Sequence, residues 1–145
     1  MTTDRAIDAA YANYAQWKGW DGACGTPEKA ARYYAAEFAG IALAGRRVLE
    51  IGFGNGAFLA WAKAQGAQVS GIELSEEMRA AARAHGFEIH DGDFDALAAA
   101  QAGRYVVVVA FDVLEHWDTG ELFANMRDIR ALLAEGGIFL ARFPN

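Results

Sequence analysis

Three glycines alternate with larger residues in Glu50-Ile51-Gly52-Phe53-Gly54-Asn55-Gly56, where the apolar run Val48-Leu49-Glu50-Ile51 gives way to Ala57-Phe58-Leu59. A backbone without Cβ at every second position can turn sharply and lie close to a ligand. The start of a following helix adds unsatisfied N–H groups. Such a loop suits a nucleotide-type molecule. Gly52-x-Gly54-x-x-Ala57 also satisfies the loose dinucleotide fingerprint, with Glu73 about 20 residues on, at the end of the next apolar run. A carboxylate there can accept hydrogen bonds from both vicinal hydroxyls of a ribose, which more than one cofactor class presents. His116, just past the apolar run Tyr105 to Phe111, is the best-placed general base for a hydroxyl or amine acceptor.

The elements that must position these residues follow from periodicity. Ile7, Ala10, Tyr11, Tyr14 and Trp17 fall at helical spacing, ended by Lys18-Gly19-Trp20-Asp21-Gly22. Thr26-Pro27-Glu28 reads as an N-cap, a proline at the first helical position and an acidic first turn, for a second helix to about Phe38. From Arg46 onward, short aliphatic runs alternate with helical segments, the pattern of βαβ units. The strands are Arg47–Ile51, Gln68–Glu73, Phe87–His90, Tyr105–Phe111 and Gly137–Phe143. Unbroken apolar character places the fourth centrally, covered on both faces. The helices between are Ala57–Gln65, Glu76–Ala84, Phe94–Ala102 and Gly120–Ala134, the last with a stripe of Leu122, Met126, Ile129 and Leu133. Asp118 and Glu121 fit a capping box. Right-handed crossovers then give an open, twisted, mainly parallel α/β sheet with helices on both faces. His85, at a helix C-terminus, and His90, at a strand end, read as structural.

Composition narrows the class. With 145 residues, 54% hydrophobic and 22% charged, the chain reads as one globular domain, neither disordered nor coiled coil. It carries 13 Lys+Arg against 19 Asp+Glu, a net charge of −6, which argues against nucleic acid as partner. Cys24 stands alone, so no internal disulfide or cysteine metal cluster forms, in keeping with a reducing compartment. No apolar run approaches the roughly 20 residues needed to span a bilayer. A cytoplasmic protein without membrane association is the expectation.

The runs VLEIGFGNGAFL and VSGIELSEEM closely resemble the first two motifs of the class I S-adenosylmethionine-dependent methyltransferases. The resemblance implies that Glu50 orders the loop near the methionine part of the cofactor and that Glu73 binds the ribose. Electrostatics agrees, because S-adenosylmethionine brings an ammonium and a sulfonium, whereas a pyrophosphate wants anion-accepting surroundings. Asp91-Gly92-Asp93-Phe94 stands where the family commonly sets an Asp against the adenine amino group and an apolar neighbour against the ring, roles that fall to Asp93 and Phe94. Phe111-Asp112-Val113-Leu114-Glu115-His116 and Leu132-Leu133-Ala134-Glu135-Gly136-Gly137 are similar to the later motifs. The implied cofactor-binding set is Glu50, Gly52, Phe53, Gly54, Asn55, Gly56, Glu73, Leu74, Asp93, Phe94, Phe111 and Asp112, with His116 catalytic. Asp112-x-x-Glu115-His116 is similar to a Glu-x-x-Glu-His metal pattern of some family O-methyltransferases. Asp112 replaces its first Glu and no further ligand is evident, so no metal is expected.

The resemblance implies in-line methyl transfer to a small-molecule acceptor. A catalytically silent cofactor-binding module and an NAD-binding oxidoreductase domain are the alternatives. Residues 1–45 would form a helical lid, its Tyr11, Tyr14, Trp17, Trp20, Tyr33 and Tyr34 covering cofactor and acceptor, and residues 46–145 a Rossmann-like core. The family sheet has seven strands; here the sheet would end after the fifth, in the order 3-2-1-4-5. That leaves Ile138–Phe143 as an apolar edge, which suggests either a longer enzyme or a homo-oligomer paired through it.

Overall fold

The computed structural model describes residues 13–91 and 93–144. Ile7, Ala10 and Tyr11 of the expected first helix, together with Gly92 and Asn145, lie outside them. Residues 13–18 are helical. The elements that follow are α1 (Glu28–Glu37), β1 (Arg47–Ile51), α2 (Ala57–Ala64), β2 (Gln68–Ile72), α3 (Glu76–Ala84), β3 (Glu88–His90), α4 (Phe94–Ala100), β4 (Tyr105–Phe111), α5 (Thr119–Leu132) and β5 (Leu133–Arg142). A 3-10 turn, Leu114–His116, links β4 to α5.

The sheet is parallel throughout, in the order β3-β2-β1-β4-β5. The expected strand order therefore holds, with β1 in the middle and β4 between β1 and β5. Strand alternation sends Val48, Val107, Val109 and Phe111 to one face, against Tyr34 of α1 and Phe38 just past it, Phe58 and Trp61 of α2, and Met78 of α3. Leu49, Ile51, Val108 and Ala110 go to the other face, against Leu97 of α4 and Ile129 and Leu132 of α5. Both faces are thus covered, which is why β4 is apolar at every position.

Several boundaries move for local reasons. α1 begins at Glu28 with Pro27 at its N-cap, and the Thr26 hydroxyl donates to the Ala57 carbonyl at 2.8 Å instead of capping. β2 stops at Ile72, because the Glu73 carboxylate takes the Leu74 and Ser75 N–H groups and turns the chain. The Asp118–Glu121 capping box forms, but α5 ends at Leu132 and runs straight into β5. Tyr105 pairs with Leu133 and Val107 with Ile138, so a bulge absorbs residues 134–137 and the strand starts earlier than Gly137. The apolar stripe of α5 is also rotated from the expected one. Ile129 and Leu132 are buried, while Met126 and Phe123 face outward.

One polar cluster sits inside the sheet. His90 Nε2 lies 3.1 Å from both Ser70 Oγ and the Tyr105 hydroxyl, which are themselves 3.2 Å apart. Burial pushes the His90 pKa down, so a neutral imidazole completes the cluster. His85 caps α3, its Nδ1 2.9 Å from the Ala81 carbonyl. Both histidines are structural, as their sequence positions suggest. No helix among the described residues is long and apolar enough to cross a membrane.

Candidate functional site

The carboxyl ends of β1 and β4 diverge where the strand order reverses, and a cleft of about 1100 Å³ opens there. β1 delivers Glu50 and then the glycine loop. Gly54 has φ +52°, and a Cβ on it would stand 2.7 Å from the Trp20 ring, so this position needs glycine for its conformation and for the close approach of Trp20. The loop is held from two sides. The Gly54 N–H donates to Glu73 Oε2 at 2.9 Å, and the Gly52 N–H to the Ile72 carbonyl at 2.8 Å. On the other side the Gly22 N–H donates to Asn55 Oδ1 at 2.9 Å, and Asn55 Nδ2 to Asp21 Oδ1 at 3.3 Å.

Glu50 is the most unusual group in the cleft. Its residue is 3% exposed, its Oε2 has no hydrogen-bond partner, and it lines the cavity. Burial pushes its carboxyl well above the usual range and the charge of Glu73 pushes the same way, while the Leu59 N–H and the Arg142 guanidinium pull only partly back. A buried carboxyl short of a donor beside a glycine loop that lines the cleft fits a ligand that brings a cation. Glu73 is better satisfied, holding the N–H groups of Gly54, Leu74 and Ser75.

Most of the other predicted residues line the same cleft. Leu74, 55% exposed, presents an apolar surface, with Asp93 and Phe94 at the start of α4 also on the wall. Phe111 closes the cleft floor with its ring 5.6 Å from Tyr34. Asp112 adopts φ +57°, its N–H donating to the Arg142 carbonyl at 2.7 Å while its carboxylate takes Arg142 Nη2 at 2.6 Å and Nε at 3.3 Å. His116 borders the cleft from the 3-10 turn, its side chain half exposed and 4.0 Å from Glu115.

Three expectations change. The Phe53 ring packs into the core against Gly71, where a Cβ would stand 2.5 Å from Phe53 Cδ1, and the residue, 4% exposed, still borders the cleft. Gly56 faces Cys24 and lies off the cleft wall. The aromatic lid is divided: Tyr34 is buried against Phe58 and Trp61 while still lining the cleft, Trp17 is 76% exposed, and the other two on the cleft are Tyr14 and Trp20. Their rings meet edge to face at 5.5 Å. Arg142 was missed by sequence reasoning, because an arginine at the end of an apolar strand carries no motif. Among the described residues no group of three His, Cys, Asp or Glu side chains is placed to hold a metal ion.

The arrangement defines an α/β nucleoside-cofactor site at a topological switch, with acids where a dinucleotide site would want donors. Comparison with known proteins makes the class specific. The profile of a methyltransferase domain family matches residues 26–145. A ubiquinone biosynthesis O-methyltransferase of Bordetella avium is 44% identical over 108 residues, covering 70% of this chain and 43% of that protein. Among solved structures, a SAM-dependent methyltransferase from Archaeoglobus fulgidus superposes with a TM-score of 0.66 at 25% identity, over 79% of this chain and 50% of the other. One from Mesorhizobium loti gives 0.62 at 28% identity, over 75% and 51%. The chain belongs to the methyltransferase domain family, and the two superposed structures are of S-adenosylmethionine-dependent methyltransferases. It spans less than half the length of the curated relatives it matches.

Proposed function

We propose that this chain binds S-adenosylmethionine along the carboxyl ends of β1 and β2 and directs methyl transfer to an oxygen of a small-molecule acceptor. The observation that carries this reading is Glu50, a buried carboxyl with an unpartnered oxygen beside the glycine loop. In this reading Glu50 receives the cofactor ammonium and the loop backbone from Gly52 to Asn55 lies along its methionine part. Glu73 uses its remaining lone pairs on the ribose hydroxyls. Leu74 and Phe94 enclose the adenine and Asp93 accepts from its amino group. When bound, the cofactor supplies a methyl carbon activated by a positive sulfur. The protein then has to hold the acceptor oxygen in line, exclude water and accept a proton, which His116 does from the mouth of the cleft. Oxygen as the acceptor atom follows the naming of the relatives.

Thermal unfolding with S-adenosylhomocysteine, S-adenosylmethionine and NAD in parallel tests the cofactor assignment. Ligand at about 100 times its dissociation constant adds roughly 2.7 kcal/mol to the folded state, several degrees in midpoint. A shift with the first two and not with NAD supports the reading; the reverse pattern overturns it. For wider context, a cytoplasmic setting goes with the unpaired Cys24 thiol. The β5 edge, with Ile138 and Phe143 exposed, is where pairing with a second copy would occur, to be tested by sedimentation.

A further inference from the structure

A second cavity, about 390 Å³, adjoins the main cleft and shares Tyr34 and Arg142 with it. Its remaining walls are Pro27, Lys29, Ala30 and Tyr33, so it is a slot between the start of α1 and the end of β5. The chemistry of that slot differs from the rest of the site. The main cleft holds the carboxylates of Glu50, Glu73, Asp93 and Asp112, whereas the slot holds two cations and two phenol rings and no acid.

Arg142 is fixed in place. Asp112 grips one edge of its guanidinium, whose Cζ lies 4.9 Å from the Tyr33 ring centroid and 5.2 Å from that of Phe111. Two of its five N–H donors go to Asp112, so donors remain for a ligand. Lys29 forms no ion pair or hydrogen bond within the described residues. Asp112 neutralises one of the two cations, leaving the slot one positive charge in excess on a chain of net charge −6. Asp112 itself is held at positive φ by its own N–H bond to the Arg142 carbonyl, so the clasp is set by the ends of β4 and β5 before any ligand arrives.

We infer that this slot is the subsite for the non-reacting end of the methyl acceptor, and that it selects an aromatic ring bearing a carboxylate. The inference rests on the methyltransferase reading above. The ring lies along Tyr33 and Pro27, the carboxylate meets the free donors of Arg142 and the Lys29 ammonium, and the rest of the molecule reaches into the main cleft toward His116. Arg142 is then a specificity-determining residue, its side chain oriented by Asp112.

Benzoate and its neutral isostere benzamide are the probes, titrated calorimetrically into the protein saturated with S-adenosylhomocysteine. Benzoate is expected to bind about tenfold or more tightly than benzamide, and to weaken as salt is raised from low to high ionic strength. Arg142→Gln and Lys29→Ala should each reduce benzoate affinity about five- to tenfold, with Arg142→Lys intermediate. Circular dichroism of each variant separates a binding loss from a folding loss. Equal affinity for the two probes, or no benzoate binding while S-adenosylhomocysteine still binds, overturns the subsite. Failure of S-adenosylhomocysteine itself to bind overturns the cofactor reading and the subsite together.

Discussion

The Glu73 carboxylate and the Gly54 N–H are joined by a 2.9 Å hydrogen bond that spans the ends of β1 and β2. One side chain therefore shapes the glycine loop while facing the cleft. With Oε1 already holding Leu74 and Ser75, Glu73 fixes two turns at once. Glu73→Ala should lower S-adenosylhomocysteine affinity about 30-fold or more, since it frees the loop and removes the proposed ribose acceptor together. Glu73→Gln, which keeps an acceptor oxygen and loses the charge, should fall between, as isothermal titration would read directly.

Glu50 makes a prediction about pH. Its carboxyl titrates well above its ordinary value of 4.5 because it is buried, with Glu73 adding to the shift. A carboxyl raised in the folded state favours folding fully below its unfolded value and loses that contribution as pH rises through the folded one. The ligand-free protein should accordingly lose thermal stability as pH rises above the ordinary carboxyl value of 4.5 on account of this group. Glu50→Gln should flatten that slope and melt higher than the parent at neutral pH, while binding S-adenosylmethionine more weakly. A variant with an unchanged slope would remove Glu50 as its source.

Gly54→Ala should act through Trp20. The substitution forces a Cβ to within 2.7 Å of the indole and into a positive φ. The backbone term alone is about 1–2 kcal/mol. A drop of several degrees in melting temperature together with altered tryptophan emission is expected, and Trp20→Ala in the same chain should recover part of the drop, leaving the φ cost.

His116 should separate chemistry from binding. It borders the cleft, its backbone N–H donates to the Val113 carbonyl at 3.0 Å, and its imidazole Nε2 lies 4.0 Å from Glu115. His116→Ala should reduce turnover about 100-fold or more with S-adenosylhomocysteine affinity unchanged, the pattern of a lost general base. Equal losses in both would assign it to the turn that links β4 to α5.

The pattern of apolar runs carried most of the fold, and the reasons are visible residue by residue. β1, α3 and β4 have the bounds their sequences predict, since Val48–Leu49 and Tyr105–Phe111 can only be core and Ser75 caps α3 through the Met78 N–H. Thr26 looked like a cap and is a tether, because its hydroxyl finds Ala57 from a distant part of the chain. Phe53 sits in the glycine loop and yet fills the hole over Gly71, a relation between that loop and β2 that neither segment discloses. Arg142 is the plainest case. Its clasp with Asp112 depends on two parallel strands ending side by side, so it could be seen only once β4 and β5 were in register.

The long-range pairing of β1 with β4 has a kinetic consequence. Val48 and Val107 meet across roughly 60 residues of intervening chain, and closing so long a loop is costly before its contacts are made. The seam that this closure creates is also the cleft. A half-formed sheet of β1, β2 and β3 would have the glycine loop but no opposite wall, so competence to bind should appear only in the last concerted step of folding. Ligand added during refolding should therefore leave the folding rate unchanged and slow only the reverse reaction.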